Sequence, residues 1–127
     1  MKELTKAEEQ VMKYIWNLEK AFLKDIVEQF PEPKPAYTTI STVIRVLTRK
    51  KFIHYTTYGK VHEYYPLVSK EHYFKDHFKA VIGNFFSGSV SNFATFFTDS
   101  EAVNLTELEK MKLMIDEKIE FLKKKNE

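Results

Sequence analysis

The sequence has no cysteine and only three glycines among its 127 residues. Without cysteine the chain cannot form a disulfide, a thiolate metal site or a cysteine nucleophile. With so few glycines it has no Gly-rich loop of the kind that binds phosphate groups in nucleotide-dependent enzymes. Neither a nucleophile elbow nor a pair of catalytic carboxylates stands out. We therefore expect no catalytic residues and no cofactor.

Long hydrophobic segments are absent as well. No apolar run approaches the roughly 18 residues that a membrane-spanning helix needs. No charged and then apolar leader precedes a small-residue cleavage site. We therefore expect a soluble cytoplasmic protein that does not insert directly into a membrane.

The chain is nevertheless rich enough in apolar residues to fold. Hydrophobic residues make up 43% of it, including 11 Phe and 7 Tyr, and its length fits one domain or a small domain with an appendage. The net charge of +2 is low, but no acidic residue lies between Lys34 and Glu63. That interval carries a basic set that could follow a phosphate backbone. The set consists of Arg45, Arg49, Lys50, Lys51 and Lys60.

The stretch "TTISTVIRVLTRKK", residues 38–51, is rich in Thr, Val and Ile, which favour a strand. Its apolar residues do not keep to one parity, as a half-buried strand requires. They instead follow the i, i+3, i+4, i+7 spacing of one helical face. The sequence therefore predicts a helix with an apolar stripe formed by Ile40, Val43, Ile44 and Leu47.

A second face of this helix carries Thr38, Thr42, Arg45 and Arg49. Such a face could simply be solvated, but Glu, Lys and Ala would make a better solvated helix surface than hydroxyls and arginines. Hydroxyls can hydrogen-bond to base edges, and arginines can reach guanine or phosphate. We favour a binding surface over a solvated one.

The flanking segments place this helix third in a series. Thr5 and Glu8 form a capping-box signature before a first helix over residues 6–18, and "AFLKDIVEQF", residues 21–30, predicts a second helix that ends at "PEPKP". The first helix is predicted to bury Ala7, Val11, Met12, Ile15, Trp16 and Leu18. The second is predicted to bury Phe22, Leu23, Ile26, Val27 and Phe30.

A hairpin follows the third helix. Residues 52–57 and 61–66 predict two strands joined by a turn around Tyr58, Gly59 and Lys60. Helices followed by a hairpin, with a basic third helix, are the order of a winged helix-turn-helix, in which that helix enters the major groove and the wing touches the backbone or the minor groove. The predicted DNA-binding residues are Thr38, Thr39, Ser41, Thr42, Arg45, Arg49, Lys50, Lys51, Tyr58 and Lys60.

Several segments, in order, give the sequence a resemblance to a known family. They are "LTKAEEQVMKYIW", "TTISTVIRVLTRKKFI", "YGKVHEYYP" and "FFSGSV". Together they resemble the penicillinase-repressor family of bacterial transcriptional regulators, the BlaI/MecI/CopY type, over almost the whole chain. The resemblance implies a homodimeric repressor of mostly α structure with a small β-hairpin. Residues 1–68 would bind a palindromic double-stranded DNA operator, and residues 69–127 would form a helical dimerisation arm.

The second half of the sequence suits such an arm. Residues 69–86 and 89–97 read as helices, and a last helix continues an apolar spacing of three to four residues. The phenylalanines could form an intramolecular core or a dimer interface, and we favour the interface because so small an arm has little core of its own. The predicted interface residues are Phe85, Phe86, Phe93, Phe96, Phe97, Leu105, Leu108, Met111, Ile115, Ile119 and Leu122.

The resemblance also bears on regulation. The copper-responsive branch of the family carries a C-terminal cysteine cluster, which this chain lacks. The β-lactam branch implies relief by proteolysis at an Asn-Phe bond, dependent on a membrane-bound sensor metalloprotease. Alignment through "FFSGSV" places that bond at Phe96-Phe97, where the Asn is missing, and Asn92-Phe93 is a shifted candidate. The candidate cleavage region therefore contains Asn92, Phe93, Phe96 and Phe97.

Two remaining features have alternative interpretations. His54 and His62 are expected to form a structural cross-strand pair rather than a metal site, and His72 and His77 lie five residues apart, which does not suit two ligands on one helical face. We expect no metal. The alternative function is a winged helix used as a protein-interaction module, because one fold can serve unrelated functions.

Overall fold

The computed structural model describes residues 3–126 and divides into two compact units, the first ending at Phe78 and the second beginning at Lys79. The first unit contains α1 (Lys6–Leu18), β1 (Ala21–Phe22), α2 (Leu23–Gln29), α3 (Tyr37–Arg49), β2 (Ile53–Tyr58) and β3 (Val61–Pro66). Helix α4 (Lys70–Phe85) begins in the first unit and ends in the second, which also contains α5 (Val90–Thr98) and α6 (Leu105–Lys125).

Helix α1 has the predicted bounds, but its buried face is shifted. Thr5 caps it by accepting a hydrogen bond from the Glu8 backbone N–H, with 3.2 Å between Oγ1 and N. Ala7, predicted to be buried, is exposed, whereas Glu8 is buried with Val11. Glu8 continues the i, i+3, i+4, i+7 face of the buried residues more closely than Ala7 does.

The segment predicted as the second helix begins with a short strand. Ala21 and Phe22 pair antiparallel with β3, opposite Tyr64 and Glu63 respectively, and the sheet has the order β1-β3-β2. Helix α2 starts only after them. The Phe22 backbone N–H donates to the Asp25 carboxylate at 2.9 Å, which fixes the change from strand to helix. A pairing this short leaves no periodic signal in the sequence.

Helix α3 confirms the helical interpretation of the Thr-, Val- and Ile-rich stretch. Ile40, Ile44 and Leu47 are buried and Val43 is half-buried, as the stripe predicted. Burial of the stripe outweighs the strand propensity of the individual residues, because propensities amount to less than about 1 kcal/mol each. The buried cluster of the first unit comprises Val11, Met12, Ile15, Ala21, Ile26, Val27, Ile40, Ile44, Leu47, Phe52, Ile53 and Tyr73.

Packing of the first unit continues past residue 68, the boundary predicted from sequence. The Trp16 indole N–H donates to the Val68 carbonyl at 2.8 Å. Tyr73 of α4 is buried in the cluster, and its hydroxyl lies 3.4 Å from the Glu9 carboxylate. The start of α4 is therefore part of the folded first unit.

The second unit has the predicted helices and little buried surface. Ser89 caps α5 and Asn104 caps α6, each accepting a hydrogen bond from a backbone N–H three residues later. Phe86 packs against Phe93 and Phe96, with ring centroids 5.5 and 5.7 Å apart. No residue of α5 or α6 is buried within the described part of the chain.

Candidate nucleic-acid interface

The outer face of α3 presents the predicted hydroxyls and arginines together. Ser41 is half-buried, and the other predicted residues of α3 are exposed, namely Thr38, Thr39, Thr42, Arg45 and Arg49. The Thr42 hydroxyl donates to the Thr38 carbonyl at 3.0 Å. Its proton is therefore directed into the helix, which leaves its oxygen lone pairs and its methyl group to meet a ligand.

The turn that leads into α3 is held by a residue that the sequence interpretation did not single out. The Lys34 ammonium donates to the Glu28 carbonyl at 2.9 Å and to the Phe30 carbonyl at 2.8 Å. These carbonyls belong to the C-terminal end of α2, where cations are favourable. Lys34 therefore fixes the connection between α2 and α3.

Lys50, predicted to bind DNA, is instead engaged in an internal ion pair. Its ammonium lies against both carboxylate oxygens of Glu8 and 3.2 Å from the Glu3 carbonyl. Glu8 is only 5% exposed, and Lys50 lies 42 residues away in sequence. Lys50 therefore ties the end of α3 to α1, which argues against a role for it in DNA contact.

Lys51, the next residue, ends α3 in the left-handed backbone conformation. Its φ is 65°, and the Phe52 backbone N–H reaches back to the Leu47 carbonyl at 3.0 Å. This is the geometry of a helix C-terminal motif that usually contains glycine. The Lys51 side chain is exposed beside the end of α3, so it remains available to a partner.

The hairpin places the other two predicted contacts at its tip. Gly59 has a φ of 63°, a conformation that glycine adopts without strain. Tyr58 lies at the end of β2 rather than in the turn, opposite Val61. Tyr58 and Lys60 are both exposed, so the structure gives the hairpin an accessible phenol and ammonium.

The two strand histidines do not form the predicted cross-strand pair. His54 lies opposite Tyr65, and His62 lies opposite Thr57. With this register the two imidazoles fall on opposite faces of the sheet, because side chains alternate along a strand. The prediction was wrong because it assumed a register that the sequence does not specify.

A groove runs between α3 and the inner face of the hairpin. We call it the hairpin groove, and its polar lining consists of Ser41, Arg45, Thr48, Arg49, Tyr55 and His62. Tyr64 also lines it, and burial raises the pKa of the Tyr64 phenol, with repulsion from an ionised Tyr55 adding to the rise. Tyr64 therefore stays neutral at physiological pH. No acidic side chain lines the groove among the residues the structure describes.

Tyr55 and His62 were missed because they lie outside the basic and hydroxyl-rich helix. Strand alternation contains a usable signal for Tyr55. Ile53 is buried, so the residue two positions later points to the same inner face. The position of His62 depends on the register between the strands.

The arm exposes most of the apolar residues predicted for its interface. Phe85 is 77% exposed, Phe96 65% and Leu105 70%, and Ile115, Ile119 and Leu122 are also exposed. Phe86, Phe93, Phe97, Leu108 and Met111 are half-buried. Helix α6 exposes three further apolar residues that lie away from the predicted stripe: Leu113, Met114 and Phe121.

The candidate cleavage region lies entirely within α5. Asn92-Phe93 and Phe96-Phe97 are both helical peptide bonds, and the rings of Phe93 and Phe97 stack with centroids 5.8 Å apart. A protease binds its substrate in an extended conformation, so cleavage here requires α5 to unwind locally.

Residues 3–126 contain neither a metal-binding cluster nor a membrane-spanning helix. No three His, Asp or Glu side chains in that range are grouped so that they could hold a metal ion. In the same part of the chain, no helix has the length and apolar character needed to cross a membrane.

A family model and several relatives match this chain. A family model described as penicillinase repressor matches residues 4–117. The methicillin resistance regulatory protein MecI of Staphylococcus aureus (strain N315) is 27% identical over 117 residues, which cover 91% of this chain and 95% of the relative. The protein of the same name from Mammaliicoccus sciuri is 26% identical over the same length.

Solved structures match this chain as well. The solution structure of the DNA binding domain of the repressor BlaI has 25% sequence identity and a TM-score of 0.49, and the match covers 57% of this chain and 94% of that one. The CopR repressor structure has 29% identity and a TM-score of 0.45, with 54% of this chain and 100% of that one covered.

The order of helices and strands, with an exposed basic third helix beside a hairpin, defines a winged helix-turn-helix protein. The family match makes the assignment more specific. The chain belongs to the penicillinase repressor family, whose members are transcriptional regulators and not enzymes.

Proposed function

We propose that the protein is a repressor that binds a palindromic DNA operator as a homodimer. The observation that carries the proposal is the outer face of α3, where exposed hydroxyls and arginines lie beside the hairpin groove, which has no acidic lining among residues 3–126. Double-stranded DNA attracts such a surface through its phosphates and discriminates through its base edges. Residues 1–68 would bind DNA, and residues 69–127 would dimerise. Binding to a chromosomal operator would place the protein in the cytoplasm.

The proposed contacts divide into two roles. Arg45 and the hydroxyl residues of α3 would read base edges, because the recognition helix of this fold enters the major groove. Exposed Lys51 and Lys60, with Tyr58 at the hairpin tip, would contact the backbone. Arg49 could serve either role. We leave Lys50 out of this set because its ammonium is paired with Glu8.

Dimerisation is supported by the apolar surface of the second unit. In the described part of the chain helix α6 has no buried residue, and Ile115, Ile119 and Leu122 are exposed along its predicted stripe. Contiguous apolar surface of this kind marks an interaction site, and a second copy of the same face is the simplest complement. Two linked DNA-binding units would also raise operator affinity without any new base contact.

Relief of repression would follow cleavage in the arm, assisted by a membrane-bound sensor metalloprotease. A cut at Asn92-Phe93 or Phe96-Phe97 would separate α6 from the rest of the chain. The released unit would lose the dimer contact and with it most operator affinity. Mass spectrometry of fragments from cells that express the protein and a candidate protease would locate the cut. Derepression with the chain intact would contradict this route.

The DNA-binding proposal is tested by a mobility shift with the DNA upstream of the protein's own gene. The logarithm of affinity should fall with the logarithm of salt concentration, with a slope of about 0.9 for each phosphate neutralised. Arg45→Ala should reduce discrimination between operator and random DNA by about 1–3 kcal/mol. Lys60→Ala should instead lower the affinity for both DNAs by the same factor. A flat salt dependence would favour a protein-interaction module instead.

A further inference from the structure

The hairpin groove contains an aromatic pair that the proposed contacts do not use. The rings of Tyr55 and His62 stack, with centroids 4.0 Å apart and planes 27° from parallel. Arg45 and Arg49 line the same groove from α3. We propose that the hairpin groove binds one phosphate group of the DNA backbone and that His62 donates a hydrogen bond to it from Nε2. This inference rests on the proposed DNA-binding function.

The Thr57 hydroxyl contacts one nitrogen of the His62 imidazole. Its Oγ1 lies 3.1 Å from Nδ1 of His62 across the strand pair. When the hydroxyl donates to Nδ1, the neutral imidazole carries its proton on Nε2. Because Thr57 occupies Nδ1, Nε2 is the nitrogen that can face a ligand. The ring plane is also fixed, because it is stacked on Tyr55.

The charges around the groove select an anion. Arg49 contributes a guanidinium group to the phosphate, and Arg45, which we assign to base edges, adds positive charge beside it. Within the described residues no carboxylate opposes them there. Guanidinium groups suit phosphate oxygens because they present paired N–H donors in one plane. An N–H donor on His62 completes a set of donors that approaches the groove from both the helix and the hairpin.

A phosphodiester in a DNA strand suits this groove better than a free phosphate. Arg45 and Arg49 are exposed and lie on the face of α3 that carries the threonines, so one strand can follow the helix and then enter the groove. Contacts to phosphate position a protein on the duplex and carry no sequence information directly. Loss of the His62 side chain should therefore lower the affinity for operator and for random DNA by the same factor.

The test measures DNA affinity of the full chain by fluorescence anisotropy. His62→Phe keeps an aromatic ring for stacking and removes the donor, so it should weaken binding to both DNAs about tenfold, as expected for a hydrogen bond to a charged group. His62→Gln keeps an N–H donor and should retain most of the affinity. His54→Phe, on the other face of the same hairpin, is the matched control and should bind like the unchanged protein.

Salt dependence distinguishes His62 from the arginines. In this proposal His62 contributes a hydrogen bond and the arginines contribute the charge. His62→Phe should therefore change the slope of affinity against salt less than Arg49→Gln, which should reduce the slope by about 1 if Arg49 contacts a phosphate. If His62→Phe does not fold, as judged by circular dichroism, Thr57→Val provides the second test. It removes the hydroxyl that contacts Nδ1 of His62 and should weaken binding to both DNAs.

Two results would overturn the inference. Unchanged affinity in His62→Phe, while the unchanged protein keeps its steep salt dependence, would refute the role of His62 and leave the proposed function intact. In the second result, inorganic phosphate shifts the NMR resonances of the His62 imidazole but His62→Phe leaves DNA affinity unchanged. That result would show that the groove binds a free anion rather than DNA. If the DNA affinity of the unchanged protein did not depend on salt, that result would instead contradict the proposed function itself.

Discussion

The two units of the molecule bury their apolar residues to very different extents. In the first unit, Leu47 and Phe52 are at most 2% exposed and belong to one continuous buried cluster. In the second, Ile82 of α4 is buried, whereas α5 and α6 have no buried residue in the described range. Both units are built from amphipathic segments, so composition does not explain the difference. The first unit forms its own core, whereas the arm leaves apolar surface exposed, which we propose is covered by a second copy.

The largest effect should come from a charge placed on that surface. Ile115→Glu puts a carboxylate on the exposed apolar stripe of α6, and burying it in a dimer would cost more than the contact stabilises. We expect dissociation and a loss of operator affinity of about 10² to 10⁴, the contribution of linking two binding units. Anisotropy measures the affinity. Glu109→Lys, a change between charged residues on the same helix, is the control and should leave the dimer intact.

Truncating an apolar side chain should lower stability independently of protein concentration in the first unit, but in a concentration-dependent way in the second. Leu47→Ala removes a fully buried side chain and should cost about 2–5 kcal/mol of unfolding free energy at any protein concentration. Leu122→Ala, on the exposed predicted stripe of α6, should destabilise only through the dimer, so its effect should vary with protein concentration. Denaturation at several concentrations measures both. A concentration-independent loss in Leu122→Ala would show that the arm has an internal core.

Breaking the ion pair between Glu8 and Lys50 should lower the unfolding free energy by a smaller amount, and only in the first unit. Glu8→Gln leaves the Lys50 ammonium without its carboxylate, and we expect a loss of about 1.5–3 kcal/mol, the contribution of hydrogen bonds to charged groups. Replacing both residues, as Glu8→Leu with Lys50→Met, should recover part of that loss. Urea denaturation provides the measurement. If Lys50→Met weakens DNA binding without lowering stability, Lys50 belongs to the DNA contact after all.

The smallest effect concerns alkaline pH. Burial raises the pKa of the Tyr73 phenol above its ordinary value of 10.0, and the nearby Glu9 carboxylate adds to the rise. The folded state therefore holds this proton more tightly than the unfolded state does. The resulting stability is fully present below pH 10 and is lost as the pH rises through the folded-state pKa. Tyr73→Phe should reduce the decline in melting temperature above pH 10, and an unchanged decline would contradict this account.

The elements with strong periodicity were the ones predictable from sequence. Helix α1 has the predicted bounds, and α3 was correctly identified as a helix because its apolar spacing fits only one period. Strand β1 was missed because Ala21 and Phe22 are too short a segment to show alternation. Its existence depends on pairing with β3, a contact between distant parts of the chain.

The candidate site was less predictable than the fold. The exposed face of α3 follows from helical geometry, since it lies opposite the buried stripe. The pairing of Lys50 with Glu8 joins residues far apart in sequence, and the inner position of His62 depends on strand register. Tertiary contacts of this kind decide which charged side chains are free to bind, and the local pattern does not contain them.

Sedimentation equilibrium of the full chain without DNA tests the central claim most directly, namely that the exposed apolar surface of the arm is covered by a second copy. We predict a species of twice the 15.1 kDa chain mass, and a fragment ending at Phe78 that is folded and sediments as a single chain. A full chain that remains at 15.1 kDa over the whole concentration range would contradict the account.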